Sequence, residues 1–391
     1  FRKAPGFFDV VTYTGNGANR TIAHNLGSVP GMIIVKKTSA TDSWYVYHEG
    51  IGETKYMLLN QTGDPDTSST RWNDTAPTSE VFSLGTADQV NGNTATYVAY
   101  LFAHDEESFG VGSDESIIAC GTYLGPNPSD VAVTLGWEPQ WLMIKNTERA
   151  DNWDTIDTMR GIHAKGIYGD AYLEANTSDA EIAGTSSHEL FVTPTGFTVP
   201  NGASGRVGEA GEKYIYIAIR RGPMKVPEAG TEVFAVDSLG GGPPGFEGVL
   251  TDWAWKRTKN TSDDMYSQNR LTGATEMKLN ASDAEGAGGG AFDYMDGWLD
   301  SSSSLSTQLS WMFKRAPEFM DIVCYTGTAA TNNVAHNLGV VPEFIIVKCR
   351  SDAEWWECYN STLGNTKAIG LAGSDAASTA VDYWGDTSPT D

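Results

Sequence analysis

The chain has 391 residues, 40% of them hydrophobic and 11% aromatic, and its formal net charge is −24 at pH 7. This apolar content excludes an intrinsically disordered chain. The acidic charge repels phosphates and so disfavours nucleic-acid binding, and no apolar run approaches the roughly 20 residues of a membrane-spanning helix, so we expect no membrane insertion.

The first hundred residues predict short β-strands. Apolar and polar residues alternate in runs bounded by Gly, Asn, Asp and Pro, and no long segment has the 3.6-residue period of a helix. These runs are DVVTYTG (9–15), MIIVKK (32–37), SWYVYH (43–48), KYMLLN (55–60) and TYVAYLFA (96–103). The intervening TSATD (38–42) predicts a hairpin turn.

The segment HNLGSVPGMIIV (24–35) is a turn that leads into a buried strand. Gly27 is expected to have a positive φ, and Leu26 to close the end of the core. Pro30 precedes the strand, where its missing N–H does little harm.

Much of this first region is repeated. IAHNLGSVPGMIIVKK (22–37) recurs 312 positions later as VAHNLGVVPEFIIVKC (334–349), and the same register extends from residue 4 to residue 78. VTLGWEPQWLMIKN (133–146) carries the pattern with Lys145 in the position of Lys36, and a fainter copy has Lys256 there. The spacing predicts modules of about one hundred residues.

We divide the chain accordingly. Residues 1–3 are the end of a preceding module, 4–112 form module 1, 113–225 module 2, and 226–315 a divergent module 3. Residues 316–391 form module 4, a truncated copy of module 1. Several short strands per hundred residues predict an all-β fold of tandem β-sandwich or jelly-roll modules, with one short turn at 179–182 and its neighbours.

A tryptophan follows the module lysine by eight residues in three modules, as Trp44, Trp153 and Trp356, and is missing from module 3. Recurrence at one strand position favours packing in a core. The alternative is a repeated platform on which sugar rings stack. Because Trp355 and Trp356 are adjacent, one ring should point inward and the other outward.

His24 and His336 are the most suggestive catalytic residues, but module 2 has no equivalent histidine. Neither copy has a partner at a suggestive local spacing. A structural role in a loop is therefore predicted, with glycan contact as the alternative. We predict no catalytic residue and no cofactor.

Three other features have the composition of a possible site. The segment GDPDTSST (63–70) is rich in oxygen ligands for calcium but lacks the EF-hand pattern, so no metal is predicted. The acidic segment 104–116 is interpreted as a solvated linker. Cys349 and Cys358 flank a predicted hairpin and are either a cross-strand disulfide or two free thiols.

The segments RKAPGFFDVVTYTGNG, IAHNLGSVPGMIIVKK and WNDTAPTS together resemble a repeat of large virion-associated proteins of tailed phages, notably marine ones. The likeness covers modules 1 and 4 closely and modules 2 and 3 loosely. It implies tail-fibre or appendage modules, often concanavalin-like or jelly-roll β-sandwiches, and no catalytic residue carries over.

From this resemblance we expect a non-enzymatic structural protein on the surface of a virion. It would self-associate into a fibre or appendage, as a homotrimer, and contact other virion proteins and host-surface glycans. One alternative is a lectin-like adhesin on a cell surface, and a second is a polysaccharide depolymerase.

Overall fold

A computed structural model shows a chain that is nearly all β, which confirms the predicted fold class. The described residues are 1–391 without 105, 110–114, 161, 163–170, 184–188, 204, 222–224, 241–242, 302–306 and 380–382. Within them every strand pairing is antiparallel except for one isolated parallel bridge. We keep the predicted modules as labels.

Module 1 contains two sheets and two helical turns. Its strands are β1 (Phe8–Thr14), β2 (Arg20–Ala23), β3 (Pro30–Lys37), β4 (Trp44–His48), β5 (Lys55–Leu58), β6 (Asp66–Thr67), β7 (Val81–Leu84) and β8 (Thr96–Ala103). The turns are α1 (Ser69–Trp72) and α2 (Asp88–Asn91). The larger sheet has the order β1-β8-β3-β4-β5-β6, and β2 pairs with β7.

The two sheets of module 1 enclose its core. Ile22 and Phe82 from the small sheet belong to one buried cluster with Met32, Val35 and Leu101 of the large sheet. The predicted hairpin is confirmed, since β3 and β4 are antiparallel with Lys36 opposite Trp44. This arrangement is a β-sandwich.

The entry to β3 also agrees with its predicted geometry. Gly27 has φ +77°, Leu26 is fully buried, and Pro30 is the first residue of β3. A β-carbon on Gly27 would force a conformation that L-residues rarely adopt.

Module 2 repeats the strand order. Its strands are β9 (Ile118–Leu124), β10 (Val131–Thr134), β11 (Pro139–Asn146), β12 (Trp153–Asp157), β13 (Leu173–Glu174), β14 (Phe191–Thr193), β15 (Gly196–Val199) and β16 (Lys213–Arg220). They form the sheets β13-β12-β11-β16-β9 and β10-β15-β14. Residues 179–182 themselves form no turn, since Ile182 pairs with Tyr172 in an isolated bridge, and residues 184–188 of the neighbouring segment lie outside the described residues.

Module 3 has the same plan. A 3-10 turn (Gly230–Glu232) precedes β17 (Phe234–Ser238), β18 (Phe246–Glu247), β19 (Trp253–Thr258), β20 (Tyr266–Asn269), β21 (Thr275–Lys278), β22 (Gly286–Ala287), β23 (Gly290–Ala291), β24 (Gly297–Asp300) and β25 (Gln308–Phe313). The sheets are β17-β25-β19-β20-β21-β22 and β18-β24-β23. Phe246 and Trp298 of the small sheet pack against Ala254 and Met312 of the large one.

The described residues of module 4 form one sheet, in the order of its strands along the chain. These are β26 (Phe344–Val347), β27 (Glu357–Asn360), β28 (Lys367–Gly370) and β29 (Ser378–Thr379), the counterparts of β3 to β6. The segment that matches β1 in sequence is not a strand here. In module 1, β1 pairs with β8, and the described part of residues 316–391 contains no counterpart of β8.

Apart from residues 163–166, the chain divides between residues 223 and 224 into two compact units. The first contains modules 1 and 2, whose large sheets share one core that includes Met143, Trp153 and Ile215. The second contains modules 3 and 4. The predicted boundary between modules 1 and 2 lies outside the described residues.

Candidate functional site: the joint between modules

Each large sheet carries a lysine beside an aromatic residue on the next strand. The cross-strand pairs are Lys36 with Trp44, Lys145 with Trp153, and Lys256 with Tyr266. In module 3 the hairpin is two residues longer, so Tyr266 takes the position where the sequence spacing indicated no aromatic residue. An alignment that assumes eight residues between the lysine and the aromatic residue does not detect a hairpin of a different length.

Trp153 joins module 2 to module 1. Its ring is 2% exposed, and its indole Nε1–H donates to the Leu58 carbonyl at the end of β5, at 3.1 Å. The Lys145 ammonium donates to the Thr62 carbonyl at 3.2 Å and to the Asn146 carbonyl at 2.8 Å. Module 2 therefore binds the backbone of residues 58–62 of module 1 at two points.

Trp356 joins module 4 to module 3 in the same way. Its ring is 4% exposed, and Nε1–H donates to the Lys278 carbonyl at the end of β21, at 2.7 Å. The Lys348 ammonium donates to the Ser282 carbonyl at 3.2 Å. Met277 and Leu279 pack against the Trp356 ring.

The two joints use equivalent atoms. In both, the carbonyl bound by tryptophan precedes the carbonyl bound by lysine by four residues. The acceptors are main-chain groups, so the side chain can differ: Leu58 corresponds to Lys278. For that reason the donors are visible in the sequence repeat and the acceptors are not.

Trp44 has the same position in module 1 but a different environment. It is half-buried, its ring stacks on Tyr100 with centroids 6.2 Å apart, and Nε1 has no hydrogen-bond partner among the described residues. The Lys36 ammonium lies 5.9 Å from the ring centroid and donates to the Asp42 carbonyl at 2.5 Å. Glycan contact thus stays a prediction for Trp44, whereas protein covers the rings of Trp153 and Trp356.

Burial shifts the pKa values of two charged side chains of module 2. It lowers the pKa of Lys145 to about 8, although Asp151 opposes the shift. It raises the pKa of Asp154 to about 7, although Arg206, 3.3 Å away, opposes that shift. Lys145 and Asp154 are at most 1% exposed, so burial explains their perturbed pKa values.

The two histidines make matching loop contacts. His24 Nδ1 accepts the Leu26 N–H at 3.3 Å, and Nε2 lies 3.1 Å from the Thr78 carbonyl. His336 repeats both contacts, with Leu338 at 3.2 Å and Thr390 at 3.0 Å. Because Nδ1 accepts, Nε2 carries the proton and donates, so both ring nitrogens hold the backbone of the turn.

A basic residue binds the first aspartate of modules 1 and 4. Lys3 Nζ lies 2.7 Å from Asp9 Oδ1, and Arg315 Nε lies 2.6 Å from Asp321 Oδ1. Asp9 Oδ2 also accepts the Asn25 N–H at 2.8 Å, as Asp321 does from Asn337. The aspartate therefore ties the end of one module to the turn of the next.

The remaining sequence candidates do not assemble into a site in the part of the chain that is described. Cys349 and Cys358 form no disulfide, and Cys358 lies opposite Ile346, so Cys349 is not its cross-strand neighbour. No three His, Cys, Asp or Glu side chains cluster as metal ligands within the described ranges. In the candidate calcium segment, Asp66 accepts the Tyr56 hydroxyl at 3.3 Å. Segment 104–116 is only partly described.

The expected orientation of the adjacent tryptophans is confirmed. Trp355 is 53% exposed while Trp356 is buried in the joint. The alternation of side chains along an extended segment forces this division.

Comparison with known proteins gives a family. Residues 3–223 and 288–391 match a family described as Domain of unknown function (DUF7483). The chain belongs to this family. The first matched stretch of DUF7483 ends where the first compact unit ends, so it contains a complete joint between two modules. No curated protein and no solved structure matches the chain.

None of the helices in the described ranges has both the length and the apolar character needed to cross a bilayer.

Proposed function

We propose that this DUF7483 protein is a non-enzymatic structural component of a virion, a tail fibre or other appendage built from joined β modules. The observation that carries the proposal is the repetition of one joint, Trp153 with Lys145 and Trp356 with Lys348, on equivalent backbone carbonyls. A long appendage requires that successive modules keep a fixed orientation relative to one another, and such a joint fixes that orientation.

The geometry of the joint explains why it would be stiff. Two hydrogen bonds to carbonyls four residues apart fix both the position and the direction of the bound segment. The indole that donates one of these bonds is itself buried, and removing such a side chain from a core costs about 3–5 kcal/mol. Bending the joint would expose it. Acceptors from the main chain are held by the sheet itself and have no rotamer freedom to lose.

Immunogold labelling tests the location. Antibodies raised against residues 1–223 should label a tail or appendage on intact particles of the virus that encodes the chain. Label confined to cell surfaces would contradict the proposal and favour an adhesin. We also propose a homotrimer that contacts other virion proteins, and mass photometry would then report about three times 42.1 kDa.

A lectin-like adhesin is the second candidate, and the half-buried ring of Trp44 favours it. Aromatic rings left partly open can stack on sugars. Under this alternative, Trp44→Ala abolishes binding to a host glycan array, whereas Trp355→Ala, at an exposed tryptophan, does not. For a depolymerase, incubation with host polysaccharide would release new reducing ends, and we expect none.

A further inference from the structure

The side chain of Lys256 lies between the two sheets of module 3. Lys256 is on β19 two residues after Ala254, so the two side chains point to the same face of the large sheet. That face is the inner one, because Ala254 packs with Trp298 and Met312 in the core of the module. The Lys256 side chain is only 6% exposed, so its amine ends inside the sandwich.

The opposite sheet presents a carboxylate to this amine. Asp300 is the last residue of β24 in the small sheet, and it lies on the same face of that strand as the fully buried Trp298. The Asp300 side chain is also fully buried, and its Oδ2 contacts Lys256 Nζ. The pair therefore bridges the two sheets through the core.

A second carboxylate reaches the same amine. Glu276 is on β21, and its Oε2 lies 3.1 Å from Lys256 Nζ. The Gln268 amide donates to Glu276 Oε2 at 3.0 Å and so holds the carboxylate in place. The ring of Tyr266 lies beside the amine, with its centroid 5.1 Å from Nζ. The site thus combines an amine nucleophile, a carboxyl group in contact with it, and a group that can transfer protons.

Burial distinguishes this cluster from other lysine–carboxylate pairs of the chain. Lys278 also has two carboxylates near its amine, those of Asp264 at 3.2 Å and Asp283 at 2.9 Å. These three side chains are 36%, 35% and 57% exposed, so water stabilises their charges. Charges held inside a core lack that solvation and are costly even when paired. Joining the amine and the carboxyl group as an amide would remove both charges from the core.

We propose that Lys256 and Asp300 form an intramolecular isopeptide bond, with Glu276 as the group that moves protons. The Lys256 ammonium passes one proton to the Asp300 carboxylate, which gives a neutral amine and a carboxylic acid. Nζ then attacks Cγ of Asp300, and Glu276 takes a proton from Nζ and delivers it to the departing hydroxyl group. One N–C bond forms, one C–O bond breaks and one water molecule leaves, so no oxidant or cofactor is consumed.

Contact between the reacting atoms supplies the main driving advantage, since the fold holds amine and carboxyl group in place before the reaction begins. The reaction occurs once in each chain and has no turnover, which agrees with a non-enzymatic structural protein. The bond would join the large and small sheets of module 3 covalently, a link that unfolding of either sheet could not break.

Mass spectrometry of the intact, denatured full chain tests the bond. The wild type should be lighter than its sequence mass by one water molecule. Lys256→Arg and Asp300→Ala should each have their full sequence mass. Glu276→Gln should slow the reaction by about 10²- to 10⁴-fold, the usual contribution of a positioned acid–base group, so the purified variant should keep its sequence mass. Lys278→Arg is the matched control and should lose one water molecule as the wild type does.

Peptide mapping locates the bond. Trypsin should cut after Lys278 but not after Lys256, so residues 226–257 should appear joined to residues 279–314 in one branched peptide. Near-ultraviolet circular dichroism shows whether each variant is folded. The wild-type mass and map need no variant, so they test the bond even where a substitution prevents folding.

Three outcomes overturn the proposal: a wild-type chain at its full sequence mass, a water loss that persists in Lys256→Arg, or a water loss confined to one linear peptide, which would be a cyclic imide. Complete linkage in folded Glu276→Gln would overturn the role assigned to that carboxylate. The mass is measured on the isolated chain and does not depend on where the protein is located, so the isopeptide bond and the proposed function can fail separately.

Discussion

Replacement of Trp153 by alanine should destabilise the first compact unit strongly. The side chain is 2% exposed, and burying an indole removes roughly 200 Å² from water, which at about 25 cal/mol per Å² gives about 4 kcal/mol after the retained β-carbon is allowed for. This lies within the range of about 3–5 kcal/mol for large-to-small changes in a core. Trp44→Ala is the matched control at the equivalent position, and its half-buried ring should cost no more than about 2 kcal/mol.

Hydrogen exchange followed by mass spectrometry measures this loss in the full chain. Amides of β11 and β16 should exchange roughly 10²- to 10³-fold faster in Trp153→Ala, because each 1.4 kcal/mol is about tenfold. Amides of β19 and β25, in the other unit, serve as an internal reference. The reasoning is refuted if Trp153→Ala protects these strands within about 1 kcal/mol of the wild type, or if Trp44→Ala costs as much.

Three further changes have defined outcomes. Burial lowers the pKa of His48 from 6.5 to about 4, so the folded protein favours the neutral ring. The stability present above pH 6.5 is therefore lost, by about 3 kcal/mol, as the pH falls to 4. Urea titrations of His48→Gln should show a flatter dependence of stability on pH. Arg315→Ala removes the cation beside the Asp321 carboxylate, in a pair whose side chains are 5% and 9% exposed, and should cost about 3 kcal/mol in urea unfolding, against at most about 1 for Lys3→Ala, whose side chain is 58% exposed. Gly27→Ala, at φ +77°, should lower stability by about 1–2 kcal/mol, whereas Gly63→Ala should change it by less than about 0.5.

Each of these has a contrary result. A His48→Gln profile parallel to the wild type between pH 4 and 6.5 would show that another group controls acid stability. Equal losses in Arg315→Ala and Lys3→Ala would mean that burial does not govern the two ion pairs. If calorimetry shows that Gly27→Ala unfolds at the wild-type temperature, as Gly63→Ala should, alanine causes no strain at this turn.

Half of the joint can be read from the sequence. The recurrence of Trp153 and Trp356 eight residues after a lysine predicted a shared structural position. Because the lysine lies on the first strand of a predicted hairpin, this spacing places the tryptophan on the second strand. Their partners could not be predicted, because Leu58 and Lys278 contribute only main-chain carbonyls, which every residue has. Tyr266 was missed for another reason, since two extra hairpin residues shift the register.

The sequence by itself determined the local structure of this protein: strands where apolar and polar residues alternate, and a left-handed turn at Gly27. Only the tertiary structure decided which of those strands form. DVVTYT (9–14) pairs with β8 and is a strand, whereas the similar DIVCYT (321–326) pairs with no strand among the described residues and is not one. A helix satisfies its backbone hydrogen bonds internally, but a strand depends on a neighbour. The recurring tryptophan follows the same rule, because its burial at Trp153 and its partial exposure at Trp44 are set by the module beside it.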